Sequence, residues 1–339
     1  MNYTDITDDM LLTLNILFSG RGMGKTFSVL RHRVENAASD ESNNSKFIWL
    51  RDSAEVVKKI AAGNSLTAPI KAKIPEFPQV DIVKSEGNYH FMMDAKTDNA
   101  KSLGYLMALS TFHNARGVSY EDVINITWDE FIPEEGTVIK KYQGLTFLNT
   151  YETINRNREL EGKAPVQIIF LTNTNGDIYS EVLEDLGVSG IVEDMVHDHI
   201  RTYRDEDIWI EFLENKGFTA EKEKTFLYRH ARNAKFSQMA LYNEFSYNDA
   251  LIKRKVDLKG SIGLLTIDNK YTLIQLKDKS LYFKLGAWKG LMNYDMDNDQ
   301  EALLYRLLFY DKYRLKYIAG KMFFDSVYTQ RAILNYARM

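Results

Sequence analysis

The segment Ser19-Gly20-Arg21-Gly22-Met23-Gly24-Lys25-Thr26 joins an apolar run to an amphipathic one. The apolar run, Leu12–Phe18, predicts a buried strand, and the spacing of Lys25–Ala37 predicts a helix. Glycines let backbone N–H groups turn inward around phosphates, a lysine supplies positive charge, and a threonine hydroxyl can bind Mg²⁺. Ser19 stands where the first glycine of such loops usually lies. We predict a site for ATP and Mg²⁺ here. The alternative is a glycine-rich turn that ends in Lys-Thr.

Strand and helix patterns alternate along the following residues. Apolar runs predict further strands at Phe47–Leu50, Val123–Trp128 and Gln167–Thr172. Helical spacing recurs at Ala54–Ala62, Tyr142–Ile154 and Ser180–Leu186. Such alternation indicates an α/β fold with a mostly parallel sheet and helices on both faces. Together with the glycine loop, it predicts a P-loop NTPase domain.

Two adjacent acids, Asp129 and Glu130, follow the apolar residues Ile124-Asn125-Ile126-Thr127-Trp128. At the end of a buried strand, Asp129 would hold Mg²⁺ together with Thr26, and Glu130 would polarise an attacking water. A solvated strand end is the alternative for such a pair taken alone. With the glycine loop upstream, we predict a catalytic pair.

Polar residues also follow the next two elements. Arg156 is the candidate for an arginine that reaches a neighbouring subunit's site, and Arg158 is the second choice. The alternative is a helix end whose cations complement the helix dipole. Thr172 or Asn173 could contact the γ-phosphate or the water, or could cap the loop that follows.

The chain changes character near Arg201. The charged stretch RTYRDEDIWIEFLENKGFTAEKEKTF predicts a helical connector or lid, and we expect an ATPase domain at residues 1–200, a linker at 201–250 and a C-terminal domain at 251–339. The last domain reads as small and α+β. Its predicted strands are Gly263–Ile267, Tyr271–Leu276 and Leu281–Phe283, and its predicted helices are Glu301–Tyr310 and Ser326–Ala337.

Composition bounds the classes of protein. The 339 residues carry a net charge of −4, with 45% apolar residues, which suits two packed cores. Residues 251–339 hold 16 basic and 9 acidic residues, whereas residues 1–250 hold 27 and 38, so the parts carry +7 and −11. This asymmetry suggests an anionic partner for the tail.

The absence of cysteine excludes disulfides and thiolate metal sites and fits a reducing cytosol. The apolar stretch Leu11–Phe18 is too short to span a bilayer, so we expect no membrane association.

Four motifs together resemble one family: Gly-x-Gly-Met-Gly-Lys-Thr, Trp-Asp-Glu-Phe-Ile, Asn-Arg-Asn-Arg-Glu and Phe-Leu-Thr-Asn. The chain is similar to the DNA-packaging ATPases of small tailed phages with protein-primed linear genomes, a resemblance that covers the first 180 residues best. It implies an additional-strand, catalytic-glutamate ATPase that forms a ring, as a homopentamer, at the portal vertex of a procapsid in the host cytoplasm. It also implies a C-terminal domain like a nuclease fold without its active site, anchored to the portal and in some members to a structural RNA.

The resemblance assigns roles to individual residues. Lys25 and Thr26 match the phosphate-loop lysine and hydroxyl, Asp129 the Mg²⁺ ligand, Glu130 the catalytic glutamate and Arg156 the trans-acting arginine. Arg21 matches an arginine within the family's loop. Arg116 falls where the family carries a pore lysine, and Lys140 and Lys141 could also face double-stranded DNA. For a motor that grips any sequence, phosphate contacts suffice. Each of these three is otherwise an ordinary surface cation. The clustered Lys253, Arg254, Lys255 and Lys259 suit an anionic partner such as nucleic acid.

Other motifs carry weaker alternatives. Asp295-Met296-Asp297-Asn298-Asp299 lacks the glycine and the final glutamate of a calcium loop, and we interpret its acids as helix-capping residues rather than as a nuclease site. His197-Asp198-His199 has no third metal ligand and reads as a polar strand. Aromatic residues of the tail are predicted to be core: Tyr305, Phe309, Tyr310, Phe323 and Phe324.

The leading hypothesis is a ring motor that translocates double-stranded DNA with Mg-ATP. Another ring ATPase, such as a helicase or a conjugation pump, is the alternative among enzymes. A nucleotide-gated assembly protein with little turnover is the alternative from a different class.

Overall fold

The computed structural model describes residues 3–85, 87–115, 119–132, 142–173, 180–231, 237 and 249–338. The chain divides into two compact units, Met1–Ser246 and Tyr247–Met339.

The first unit is built on a sheet with nine strands among the described residues, in the order β3-β4-β5-β2-β6-β7-β1-β9-β8. Strands β5, β2, β6, β7, β1 and β9 run parallel, and the others pair antiparallel. The strands are β1 Leu14–Ser19, β2 Lys46–Arg51, β3 Val80–Ser85, β4 Asn88–Met93, β5 Lys101–Ala108, β6 Val123–Asp129, β7 Gln167–Asn173, β8 Thr202–Arg204 and β9 Ile208–Leu213. The α/β prediction with a largely parallel sheet is confirmed.

Helices of this unit cover both faces of the sheet. They are α1 Lys25–Ser39, α2 Ala54–Gly63, α3 Ala68–Lys73, α4 Gln143–Asn155, α5 Glu181–Asp185, α6 Ser189–His197, α7 Lys216–Glu223 and α8 Phe226–His230. Helices α1, α2 and α3 share one apolar core with Ile169 and Leu171. Phe170 points the other way, because strand side chains alternate between faces, and packs at 5.0 Å from Phe147 of α4. Burial against both faces explains why these strands read as continuous apolar runs.

The predicted strands and helices of residues 12–186 are present, each within a few residues of its expected ends. The prediction of a helical connector beginning near Arg201 is wrong for residues 202–213, which form β8 and β9, whereas helix α7 follows at Lys216–Glu223. Within that charged stretch, the six residues Ile208–Leu213 form β9, which pairs parallel with β1 along its whole length. Trp209, Ile210 and Phe212 are buried there. The charges flank a short apolar strand, and burial of that strand outweighs the helical tendency of the flanks.

Three further corrections concern local structure. His197 ends helix α6 rather than lying on a strand, and its Nδ1 is 2.6 Å from Asp198. Tyr310 is 46% exposed, whereas the neighbouring Phe309 is buried, and the Tyr310 ring lies 5.3 Å from the Arg314 guanidinium. Phe323 is half-buried, with the Lys253 ammonium 3.3 Å from its ring centre.

The second unit has its own core and its own mixed sheet, in the order β13-β10-β11-β12-β14. Its strands are β10 Ile262–Ile267, β11 Tyr271–Gln275, β12 Leu281–Leu285, β13 Asn293–Tyr294 and β14 Met322–Phe324. Its helices are α9 Asp299–Leu308, α10 Arg314–Ile318 and α11 Val327–Ala337, with a π-helical turn, Phe309–Tyr313, between the first two. Asn298 caps α9 by accepting from the N–H groups of Gln300 and Glu301. The resemblance of this unit to a nuclease fold stays a prediction.

No helix in the described part of the chain has the length and apolar character needed to cross a membrane.

Candidate functional site

The glycine loop connects β1 to α1, as the sequence predicts. Gly22 and Gly24 have φ values of 81° and 95°, a backbone region that glycine tolerates and other residues rarely adopt. Gly24 is the residue before α1, so the loop ends at the helix N-terminus. Ser19 closes β1 and its hydroxyl donates to the Gly20 carbonyl at 3.0 Å. The residue that departs from the usual pattern thus fits the loop as a strand end. A glycine loop that ends at a helix N-terminus suits an anion.

Lys25 is buried, with 6% exposure, and its Nζ donates to Asn173 Oδ1 at 2.6 Å and to Ser19 Oγ at 3.2 Å. Burial lowers the pKa of Lys25 to about 8, although Asp129 and Glu130 oppose this by attraction; Arg21 and Lys222 lower the pKa further. Both partners of the ammonium are neutral. The site therefore offers a cation that gains from an incoming anion.

Asp129 ends β6 two strands away from Ser19, with β7 between them. Thr26 Oγ1 donates to Asp129 Oδ1 at 3.1 Å. Burial raises the pKa of the Asp129 carboxyl, whereas the neighbouring Arg51 lowers it. A hydroxyl and a carboxylate side by side are oxygen donors of the kind that Mg²⁺ prefers, so these residues fit the predicted ion.

Arg51 is the site residue that sequence reasoning missed. It ends β2, the strand beside β6, and its guanidinium binds Asp129 Oδ2 at 2.7 Å and also the Glu130 carboxylate. The Arg51 side chain is only 12% exposed. A basic residue at the end of a predicted parallel strand was the available signal, but its meaning depends on β2 lying next to β6. The two predicted acids are therefore held together by one cation.

Glu130 has an αL backbone, with a φ of 59°, and its side chain is 48% exposed. Its N–H donates to the Leu171 carbonyl at 2.8 Å, which fixes the turn after β6 to the neighbouring strand β7. A non-glycine residue at positive φ is uncommon. The turn places Glu130 beyond Asp129, at the open side of the site.

Asn173 and Thr172 differ in what they contact. Asn173 ends β7 opposite Ser19 and binds Lys25. The buried Thr172 hydroxyl turns to backbone carbonyls, Ile132 at 3.4 Å and Asn173 at 3.3 Å. Asn173 therefore contacts the charged cluster, whereas the contacts of the Thr172 hydroxyl among the described residues are with backbone carbonyls.

A second set of polar contacts positions α4. Gln143 Nε2 donates to Asp52 Oδ1 at 2.6 Å, and the Gln143 N–H donates to Glu181 Oε2 at 2.8 Å. Burial raises the pKa of Glu181. Asp52 directly follows Arg51. The start of α4 is therefore hydrogen-bonded to the residue next to the arginine that binds both carboxylates.

The two arginine candidates at the far end of α4 have different surroundings. Arg158 donates to three backbone carbonyls, Ala164 at 3.1 Å, Glu121 at 3.1 Å and Val123 at 3.3 Å, which is a structural role. Arg156 is exposed, and its Nε donates to the Thr153 carbonyl at 3.1 Å. Its φ of 45° and ψ of −126° are costly for a residue with a side chain. The surface position suits Arg156, rather than Arg158, for contact with another chain.

The other predicted residues belong to different parts of the chain. Arg116, Lys140 and Lys141, the candidates for DNA contact, lie outside the described residues. In the second unit, Arg254 and Lys255 line a cavity of about 570 Å³ that also contains Lys284 and Asp325. Arg21 and Met23 are in the loop; the Arg21 carbonyl accepts from Lys222, and Met23 is buried. Among the described residues, no group of three or more His, Asp or Glu side chains is placed to hold a metal ion.

The fold and this site define an α/β protein with a largely parallel sheet and a glycine loop at the carboxyl edge of that sheet. The chain belongs to the family of Podovirus DNA encapsidation proteins (Gp16), whose model matches residues 6–298.

Two proteins of Bacillus phages are similar to this chain in sequence. The DNA packaging protein of Bacillus phage B103 is 25% identical over 248 residues, which is 71% of this chain and 67% of that protein. The DNA packaging protein of Bacillus phage phi29 is 23% identical over 291 residues, 84% of this chain and 76% of that protein. A chain of the bacteriophage Phi-29 viral genome packaging motor assembly superposes with a TM-score of 0.62 at 17% identity, covering 96% of this chain and 95% of that one. The superposition supports the fold.

Proposed function

We propose that this protein is a Mg²⁺-dependent ATPase that drives double-stranded DNA into a phage procapsid. The observation that carries the proposal is the meeting of Lys25, Thr26, Asp129 and Glu130 at one edge of the sheet, with Thr26 and Asp129 3.1 Å apart. Family membership and the packaging proteins among its relatives support DNA as the cargo.

Each group has a chemical task in this proposal. Loop N–H groups and the Lys25 ammonium bind the β- and γ-phosphates, and Lys25 exchanges its neutral partners for charged ones. Thr26 and Asp129 would hold Mg²⁺, which neutralises charge on the phosphates when bound. Glu130 orients the attacking water and accepts its proton. Asn173, beside Lys25, contacts the γ-phosphate.

Arg51 must release Glu130 before hydrolysis, because a carboxylate paired with a guanidinium is a poor base. The same Arg51–Glu130 ion pair favours the alternative function, a nucleotide-gated assembly protein with little turnover. In that case the Arg51–Glu130 pair would persist with nucleotide bound.

Arg156 would act on the site of an adjacent subunit in a ring, by analogy with arginines that stabilise charge on a transferring phosphoryl group. Its exposed position and costly backbone support this role. The ring is proposed to be a homopentamer at the portal of the procapsid in the host cytoplasm. Arg116, Lys140 and Lys141 remain candidates for contacting DNA phosphates in such a ring.

The C-terminal part, residues 251–339, is proposed to dock on the portal or on nucleic acid, including a structural RNA if the particle has one. Its net charge of +7 and the basic residues around its cavity support an anionic partner.

ATP turnover of the Glu130→Gln variant tests the proposal. We expect hydrolysis to fall by about 100-fold or more while nucleotide binding is retained. Glu55→Gln is the matched control, since Glu55 is exposed and pairs with Lys59 one helical turn away, and its turnover should equal that of the wild type. Equal hydrolysis by wild-type protein and Glu130→Gln would refute the motor and favour the assembly protein.

A further inference from the structure

Helix α7 contacts the glycine loop at Arg21 and Gly22. The Lys222 ammonium donates to the Arg21 carbonyl, a contact between residues 201 positions apart in the chain. Phe218, one turn earlier on α7, lies close to Gly22: a Cβ added to Gly22 would be 3.3 Å from the Phe218 ring and 3.6 Å from Lys222 Nζ. The helix therefore touches the loop through one cation and one aromatic ring.

Lys222 is in an environment that restricts its ammonium. Its Nζ lies 5.3 Å from the ring centre of Phe218 and 5.2 Å from that of Tyr228. Within the described residues, no carboxylate lies within ion-pair distance of it. Burial and the nearby Arg21 lower the pKa of Lys222. The Arg21 carbonyl is thus the polar partner that holds this half-buried cation in place.

The contact fixes the orientation of one peptide group. In a trans peptide the C=O and N–H bonds point in opposite directions. When Lys222 holds the Arg21 carbonyl, the N–H of Gly22 points away from α7. Gly22, at a φ of 81°, has the backbone freedom to let the Arg21–Gly22 peptide flip. The contact from Lys222 to the Arg21 carbonyl restricts that rotation.

We propose that Lys222 is a positioning residue that presets the Gly22 N–H for binding the β-phosphate of the nucleotide. This inference rests on the proposed function, because it assumes that the glycine loop binds ATP. Lys222 acts through the loop and leaves the γ-phosphate to Lys25. Removing it should weaken ATP and ADP equally, since both carry a β-phosphate, and should leave the chemical step unchanged.

Binding of ATP and of ADP to the full-length chain, measured by calorimetry, tests the proposal together with steady-state hydrolysis. We expect Lys222→Met to raise both dissociation constants by the same factor, about tenfold, with kcat within about twofold of wild type. Lys222→Arg, which keeps charge and donors, should restore most of the affinity. Lys224→Met is the matched control: Lys224 is exposed, pairs with Glu221 at 2.6 Å, and its loss should change neither constant. If Lys222→Met does not fold, Lys222→Gln provides the same comparison.

Three outcomes would overturn the inference. A loss confined to ATP would show that Lys222 contacts the γ-phosphate directly. A fall in kcat at unchanged affinity would give it a role in the chemical step. Equal binding by Lys222→Met and Lys224→Met would show that the contact is passive. Lys25→Ala separates these from failure of the proposed function, because a wild-type protein that binds no better than Lys25→Ala has no nucleotide site at the loop.

Discussion

Lys25 is a buried cation whose hydrogen-bond partners, Ser19 and Asn173, are both neutral. Burial favours the neutral amine, and the pKa near 8 reflects that cost. Such an arrangement is unfavourable for folding and favourable for binding, since an anion that enters the loop removes the penalty. The free energy of unfolding is therefore lower with a charged Lys25 than it would be with a neutral side chain at this position.

Lys25→Met should stabilise the nucleotide-free protein. The pKa shift from 10.5 to about 8 corresponds to about 3 kcal/mol, and we expect a gain of about 1–3 kcal/mol because two hydrogen bonds are lost. The sign follows from linkage: the folded state binds fewer protons than the unfolded state between pH 8 and 10.5, so wild-type stability rises there. The gain should be full below pH 8 and vanish above pH 10.5. Denaturant unfolding at several pH values measures it.

Lys46→Met is the control for that measurement. Lys46 pairs with Asp122 at 2.7 Å, so its loss should destabilise the protein. A destabilised Lys25→Met variant at pH 7 would contradict the interpretation that burial of the Lys25 cation costs more than the attraction of Asp129 and Glu130 returns.

Arg51 compensates the two carboxylates that the site needs. Arg51→Met should lower the free energy of unfolding by about 2–4 kcal/mol, because Asp129 is buried and would lose its guanidinium partner. Added Mg²⁺ should recover much of this loss by binding the carboxylate oxygens that have lost the guanidinium. Unfolding curves with Mg²⁺ and with EDTA test this, with Arg51→Lys expected to be intermediate. A Mg²⁺-independent loss would show that Asp129 does not bind the ion.

Helix α4 links the carboxylate cluster to a surface arginine. Its first residue, Gln143, is bound to Asp52, and its C-terminal cap is Arg156 in a backbone conformation that favours glycine. An unfavourable conformation persists where the surrounding structure imposes it, and such residues cluster at functional sites.

Arg156→Gly should stabilise the protein by about 1 kcal/mol, because glycine adopts this conformation without strain. It should also lose ATP hydrolysis, and activity should return on mixing with Lys25→Ala subunits, since each then supplies what the other lacks. Arg158→Ala is the contrasting variant: three carbonyls lose their donor, so stability should fall by about 1–3 kcal/mol. Absence of any rescue from well-folded, assembled mixtures would argue against a shared site.

The elements that were predicted within the first 186 residues each carry a local signal. Apolar runs mark β1, β6 and β7, and the glycine loop marks the start of α1. Strand β9 could not be separated from its charged flanks, since its burial comes from pairing with β1. Helix α3, the hairpin β3–β4 and strand β5 were not predicted. Local pattern specifies an element better than it specifies that element's neighbour.

The same limit applies to the site. Lys25, Thr26, Asp129 and Asn173 were predictable because loop and strand-end positions identify them. Arg51 depends on strand order, and Lys222 depends on where α7 packs. Neither contact has a local sequence signature, because the partners are far apart in the chain.

At the scale of the whole molecule, the net charge of −4 averages two different parts. Each unit has its own apolar core, and the acidic excess lies in the first 250 residues while the basic excess lies in the remainder. A translocase that releases DNA in every cycle needs few cations at the moving contact, whereas a standing contact with an anionic partner tolerates many. The charge distribution is consistent with an ATPase unit and a docking unit.

ATP-dependent uptake of DNA into purified procapsids tests the central claim most directly, with packaged DNA measured as the fraction protected from added nuclease. Wild-type protein with Mg-ATP should protect DNA, and Glu130→Gln should bind nucleotide but protect none, with Glu55→Gln equal to wild type. Protection that is equal with Glu130→Gln, or that does not require ATP, would contradict the account.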